Sequence, residues 1–276
     1  TMRISHVIRG EDHLSNTPKQ ILLQRAFGFS QPFYAHLPLI LNADRSKLSK
    51  RFNAVSVEEY RTAGYIPEAT INFLSLLGWH PEGDNEFLSR DELINKFSLQ
   101  RVQKAGAVFN QEKLDWLNSQ HLKVLAIEDL IERIISFAKN ADWTGDRVFL
   151  ERVVKIERER IKKLSDFSES AGFLFKLSDY DKKLLIWQDL PLAIIAANLK
   201  ILKEIMVKTP EQKFTQADLA VILEEAVKNN KGAFLWPLRA ALSGLSASPG
   251  PFEIMEALGK EETLKRIDFA LRKLVV

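Results

Sequence analysis

Between Lys47 and Arg51 the chain offers two ammonium groups, a hydroxyl and a guanidinium within five residues, Lys47-Leu48-Ser49-Lys50-Arg51. They follow an apolar run, His36-Leu37-Pro38-Leu39-Ile40-Leu41, which reads as a buried strand, and a turn at Asn42-Ala43-Asp44. Positive point charges on a loop at a sheet end suit a polyphosphate whose charge grows during reaction. A solvated basic turn has the same composition, so the loop alone decides nothing. Arg9 stands just after the apolar Ser5-His6-Val7-Ile8, where a guanidinium can grip a carboxylate with two hydrogen bonds. An ion pair with Glu11 or Asp12 is its structural alternative.

Two strands and a helix must position these groups. Ser5–Ile8 reads as the first strand. Asn16 or Thr17 caps a helix with Pro18 in its first turn, and Gly28 stops it. Pro32-Phe33-Tyr34 enters the second strand. Strand, helix and strand of this length make a βαβ unit, half of a parallel sheet, and ligands of such sheets sit beyond the carboxyl ends of the strands. Arg9 and the basic loop both fall there.

From Val55 the periodicity turns helical. Ser56 caps one helix ending near Gly64, and Pro67 opens another through Ile71, Phe73 or Leu74, and Leu77. Ser89 and Glu92 have capping-box spacing. Beyond Leu122 the chain reads as all helix, with apolar faces at Ile127, Leu130, Ile131, Ile134 and Ala138, at Leu150, Val153, Val154, Ile161 and Leu164, and at Leu192, Ile195, Leu199, Leu202 and Met206. Ser246-Ala247-Ser248-Pro249-Gly250-Pro251 is the one breaker-rich loop here.

With 276 residues, 46% of them hydrophobic, the chain can bury a core and form two or more domains. Net charge is +3, split as +1 over residues 1–120 (14 basic, 13 acidic) and +2 over 121–276 (25 basic, 23 acidic). Nucleic-acid binding would therefore have to rest on a local patch. The absence of cysteine excludes disulfides and thiolate metal sites and fits a reducing cytoplasm. No uncharged apolar run is long enough for a membrane span. Only His6 and His13 lie close together among five histidines, at a spacing unlike HExxH, so neither protein-held zinc nor another protein-held metal is expected. The direct entry of Thr1-Met2-Arg3 into a strand reads as a cut through a domain.

The wording resembles a class I aminoacyl-tRNA synthetase, the glutamyl-tRNA synthetase family. The matches are His6-Val7-Ile8-Arg9-Gly10-Glu11-Asp12-His13-Leu14-Ser15-Asn16-Thr17-Pro18-Lys19-Gln20, the basic loop in the place of the family's KMSKS loop, Val108-Phe109-Asn110-Gln111-Glu112-Lys113-Leu114-Asp115-Trp116-Leu117-Asn118, Trp236-Pro237-Leu238-Arg239-Ala240-Ala241-Leu242-Ser243-Gly244, and Leu258-Gly259-Lys260-Glu261-Glu262. They run in family order across essentially the whole chain. The family's amino-terminal half, with its HIGH-type ATP motif, is not among them.

The resemblance implies a mainly α protein in three parts. Residues 1–54 would be a partial Rossmann-like βαβ segment with the KMSKS-type loop, 55–122 a small helical stem-contact domain, and 123–276 an all-helical anticodon-binding region of two subdomains. It implies glutamate activation by ATP with Mg²⁺ carried by the nucleotide, and transfer to the 3′ end of tRNA(Glu). Lys47, Ser49 and Lys50 would hold the phosphates, backbone groups at Leu39 and Ile40 would meet adenine, and Arg9 and Asp12 would contact L-glutamate. Arg51, Arg160, Arg239, Ser248 and Pro249 would contact tRNA, with Arg160 reading the third anticodon base. Arg158 and Arg160, taken as helical in an alternating-charge stretch, point about 200° apart and cannot serve one base. A monomeric cytoplasmic enzyme is expected, inactive as this chain alone. The alternative is a tRNA-binding module without catalysis. A truncated paralogue that modifies tRNA is disfavoured by residues 123–276.

Overall fold

Strand β1 (His6–Gly10) runs parallel to β2 (Phe33–Leu37), joined through helix α1 (Thr17–Ala26), in the computed structural model, which describes residues 2–48, 56–138 and 146–274. The βαβ unit is thus present, with His6 opposite Phe33 and Gly10 opposite Leu37. Two details differ from the sequence expectation. Asn16 makes no side-chain cap, because Glu11–Asn16 already winds as a 3-10 turn into α1. The run His36–Leu41 is two strands: Pro38, which lacks an N–H, separates β2 from β3 (Ile40–Leu41). Nor is it buried, since Leu37 and Ile40 are exposed. Strand β3 pairs in parallel with β4 (Ala107–Val108).

The remaining helices of this part are α2 (Val57–Thr62), α3 (Pro67–Leu76), α4 (Arg90–Lys96) and α5 (Gln111–Val124). Capping boxes start α2 at Ser56/Glu59 and α4 at Ser89/Glu92, where each serine accepts from the N3 backbone and each glutamate returns to the cap. Phe73, Leu76, Trp79, Leu88, Leu93, Leu114 and Leu117 form the core. On α3 the buried face is Ala69, Asn72, Phe73 and Leu76; Ile71, expected inside, is half exposed, and of the alternatives Phe73 and Leu74 it is Phe73 that is buried. Asn72 occupies the interior because its amide is used at both ends. It donates to the Glu86 carbonyl and accepts from Leu88 N–H, at 3.0 Å each.

Chain contacts divide the molecule into two compact units, Thr1–Val124 and Leu125–Val276. The second consists of α6 (Ile127–Phe137), α7 (Arg147–Glu157), α8 (Asp166–Phe175), α9 (Leu192–Lys208), α10 (Gln216–Val227), α11 (Lys231–Ser243) and α12 (Pro251–Leu274). Leu130, Ile131, Ile134, Leu150, Val153, Val154, Ile195, Leu199, Leu202 and Met206 are all buried, so the expected apolar stripes do face inward. Helix α12 is broken at Gly259, whose φ of 74° and ψ of 173° are open essentially to glycine alone. The break lets Lys260 Nζ donate to the carbonyls of Val207 (2.8 Å) and Thr209 (2.6 Å) at the end of α9. Six residues on, the buried Arg266 donates to the carbonyls of Phe173 (2.8 Å), Leu174 (2.9 Å) and Leu242 (2.7 Å), closing the carboxyl ends of α8 and α11. Among the described residues no helix is long and apolar enough to cross a membrane.

Candidate functional site

In the first unit Lys47 is aimed by a hairpin. Leu48 N–H donates to the Ile40 carbonyl at 3.0 Å, and Asn42 N–H to the Ser46 carbonyl at 2.8 Å. The Asp44 carboxylate ties the tip by accepting from Ser46 N–H (2.9 Å) and Ser46 Oγ (2.6 Å). Arg45 sits there at φ 64°. So held, Lys47 Nζ reaches Asp12 Oδ2 at 3.0 Å. That hydrogen bond is the main reason the Asp12 carboxyl lies below its ordinary range. Ser49, Lys50 and Arg51 lie outside the described residues.

Arg9 is one residue short of the end of β1 rather than beyond it. Its Nη2 donates to Thr17 Oγ1 (2.8 Å) and Gln20 Oε1 (2.7 Å), and its guanidinium carbon stands 5.5 Å from the centre of the Tyr34 ring. Thr17 Oγ1 in turn contacts His36 Nε2 at 2.9 Å. Arg9 Nε is buried with no hydrogen-bond partner among the described residues. The acids weighed as its partners are occupied differently: Asp12 by Lys47, and Glu11 by Leu39 N–H at 3.2 Å. The Leu39 carbonyl also accepts from Ala107 N–H (3.2 Å), and that of Ile40 from Leu48. A ligand meeting these backbone groups would exchange those bonds or use a carbonyl's second lone pair.

In the second unit Arg160 and Arg239, 79 positions apart in the chain, lie close enough for one charge to act on the other. Arg239 is held below the usual guanidinium range first by burial and then by the charge of Arg160. It stacks over Trp236, 4.6 Å from the ring centre, and donates to the Ser246 carbonyl at 2.8 Å and Ser248 Oγ at 3.4 Å. Trp236 is itself fixed, with Nε1 donating to the Leu184 carbonyl at 3.0 Å and its ring 5.5 Å from that of Trp187. The loop with Ser248 and Pro249 is thereby tied to Arg239, and Gly250 N–H donates to Glu253 Oε2 at 3.0 Å as α12 begins.

Arg160 is not on a helix. Helix α7 ends at Glu157, and 158–160 form a turn in which Arg160 N–H donates to the Glu157 carbonyl at 2.8 Å. The 200° separation expected of Arg158 and Arg160 therefore does not apply. Arg158 instead donates to the Leu125 carbonyl at 3.0 Å.

Sequence reading missed Glu157. Taken as part of a solvated alternating-charge face, it is 0% exposed. A signal was available: it lies three and four residues after Val154 and Val153, on the apolar side of α7. Burial pushes its carboxyl above the usual range, with Glu253 adding to the rise and Ser170 and Arg160 opposing it.

Residues 1–116 match the family described as tRNA synthetases class I (E and Q), catalytic domain, and residues 129–271 match the family described as Anticodon binding domain. Curated relatives include a glutamate–tRNA ligase of Moorella thermoacetica, 40% identical over 98% of this chain and 57% of that protein. A glutamate–tRNA ligase of Caldicellulosiruptor saccharolyticus is 38% identical over 100% of this chain and 58% of its own length. Among solved structures, a glutamate tRNA ligase from Elizabethkingia meningosepticum in complex with its amino acid superposes with a TM-score of 0.83, at 30% identity, over 99% of this chain and 58% of that one. The chain thus spans somewhat more than half the length of these relatives. It belongs to the anticodon-binding domain family over 129–271 and, with the class I catalytic segment before it, corresponds to the carboxyl-terminal portion of a glutamate–tRNA ligase.

Proposed function

We propose that this chain works within a glutamate–tRNA ligase, supplying the basic loop for ATP-dependent activation of glutamate and the surface that reads the tRNA(Glu) anticodon. The observation that carries the reading is Arg239 stacked on Trp236 and bonded to the loop with Ser248, with Arg160 close enough for its charge to act on Arg239. Cations beside a tryptophan suit unstacked loop bases, which offer both acceptors and a π-face.

In the first step the glutamate carboxylate attacks the α-phosphorus of ATP, the bond to the bridging oxygen breaks, and pyrophosphate leaves. The acyl group then passes to a terminal ribose hydroxyl of the tRNA and AMP leaves. No general base is required for the first step, because the nucleophile is already an anion. Positioning and charge stabilisation remain, the roles assigned to Lys47, Ser49 and Lys50. Arg9, fixed by Thr17, Gln20 and Tyr34 with Nε unused, is suited to the substrate carboxylate, and Asp12 sets Lys47. Mg²⁺ would arrive with the nucleotide. The three-part division at 54/55 and 122/123, the monomeric state and a cytoplasmic location belong to the same proposal.

For the isolated chain a second reading, a tRNA-binding module without catalysis, has its own support. In the βαβ segment Phe33 is 74% and Leu22 63% exposed, and Ile8 and Leu23 are also open, so this layer has no core of its own. We expect no ATP–pyrophosphate exchange from this chain. The deciding experiment is binding, at one fixed salt concentration, to a glutamate tRNA transcript and to one altered only at the third anticodon base. Preference for the first that Arg160→Ala abolishes is the expected result; no binding to either would overturn the reading of the second unit.

A further inference from the structure

Glu157 occupies a position hostile to a carboxylate. It is 0% exposed, and neither oxygen has a partner at hydrogen-bonding distance among the described residues, although the Ser170 hydroxyl lies near enough to favour the charged form. It stands on the last turn of α7, where the helix presents its negative end. Its own carbonyl already accepts from Arg160 N–H and Ile161 N–H. Purely structural burial would favour an apolar residue or a neutral amide here. Among the described residues the cation that approaches it in an ion pair is Arg160, whose Nε stands 3.8 Å from Glu157 Oε2 while its side chain remains 45% exposed. A guanidinium has five N–H donors in a rigid plane, and a carboxylate on the Nε side fixes that plane while leaving the outer nitrogens unused.

We propose that Glu157 is the positioning residue for Arg160: its buried carboxylate holds the Nε side of the guanidinium so that the two outer nitrogens face an unpaired base edge carrying adjacent acceptors. This rests on the reading that Arg160 contacts the third anticodon base. At 3.8 Å the contact is longer than a charge-assisted hydrogen bond, so bound RNA is expected to tighten it. Arg239 and Glu253 complete the charged surroundings. Arg239 and Arg160 repel each other, and Glu253 disfavours the Glu157 charge. Arg160 thus has one anchor and one neighbour that pushes it away.

The test uses this chain, the glutamate tRNA transcript and the transcript altered at the third anticodon base. Glu157→Gln should lower the preference between them about tenfold while leaving affinity for the altered transcript unchanged. In Arg160→Ala the same second change should add nothing. Glu157→Asp, which keeps the charge one methylene short, should fall between wild type and Glu157→Gln, and it serves as the test if circular dichroism shows Glu157→Gln unfolded. Equal weakening of both transcripts by Glu157→Gln would overturn the proposal, as would retained preference. If wild type shows no preference, the base-reading assignment of Arg160 fails and this proposal falls with it. A preference sensitive to Arg160→Ala but indifferent to Glu157 removes this proposal alone.

Discussion

Lys47 and Asp12, 35 residues apart, are joined at 3.0 Å across the mouth of the βαβ segment. The pair links the turn after β1 to the basic loop, so the two stretches expected to share a site are in contact. Both side chains are about half exposed, and water screens the pair. Its meaning lies in direction more than in stability.

Lys47→Met should return the Asp12 carboxyl upward to the ordinary carboxylate range, followed by carboxyl NMR titration. The sign for stability follows. A carboxyl depressed in the folded state contributes above its unfolded value, and that contribution is lost as pH falls through the depressed one. Lys47→Met should remove this small acid-side dependence and leave neutral pH nearly unchanged.

Gly10→Ala should break the same contact sterically. A Cβ at residue 10 would lie 2.5 Å from Asp12 Oδ1, although the φ of −64° there is open to any residue. The expected result is a folded chain, destabilised by about 1 kcal/mol or less, in which the Asp12 shift is gone. An unchanged Asp12 titration would contradict the geometry.

In a complete ligase, Lys50→Ala should slow ATP–pyrophosphate exchange about a hundredfold, roughly 3 kcal/mol of transition-state stabilisation, with little change in glutamate affinity. Exchange at the wild-type rate would remove the phosphate role.

Arg266→Ala should cost about 3–5 kcal/mol in urea unfolding of the second unit. Arg266 is 3% exposed and serves three carbonyls as well as Glu262 Oε1 at 2.9 Å, so its removal leaves two helix ends unsatisfied. Arg239→Ala, by contrast, should leave melting within about 1 kcal/mol and weaken binding to both transcripts alike.

Glu157→Gln should raise the melting temperature near neutral pH by about 2–4 °C. A carboxyl raised in the folded state contributes stability below its unfolded value and loses it as pH rises through the folded one. The advantage of glutamine should therefore vanish near about pH 3.5. Arg160 on the turn, Ser170 on α8 and Glu253 on α12 all face this carboxyl. Greater stability with poorer discrimination would be the signature of a residue retained for function.

The sequence by itself determined what short-range chemistry can determine. Serine and glutamate three apart made capping boxes at Ser56 and Ser89, Gly28 ended α1 at φ 69°, and apolar spacing found the inward faces of α6, α7 and α9. These depend on neighbours within one or two turns. The tertiary structure alone decided what depends on distant partners. It divided His36–Leu41 at Pro38, joined Asp12 to Lys47, and put Arg239 within reach of the Arg160 charge. It also gave the Leu258-Gly259-Lys260 stretch a capping role at the end of α9 and closed Glu157 inside the second unit. Burial is set by whatever packs against a face, here α8 and α12, and the charge pattern of a single helix carries no record of that.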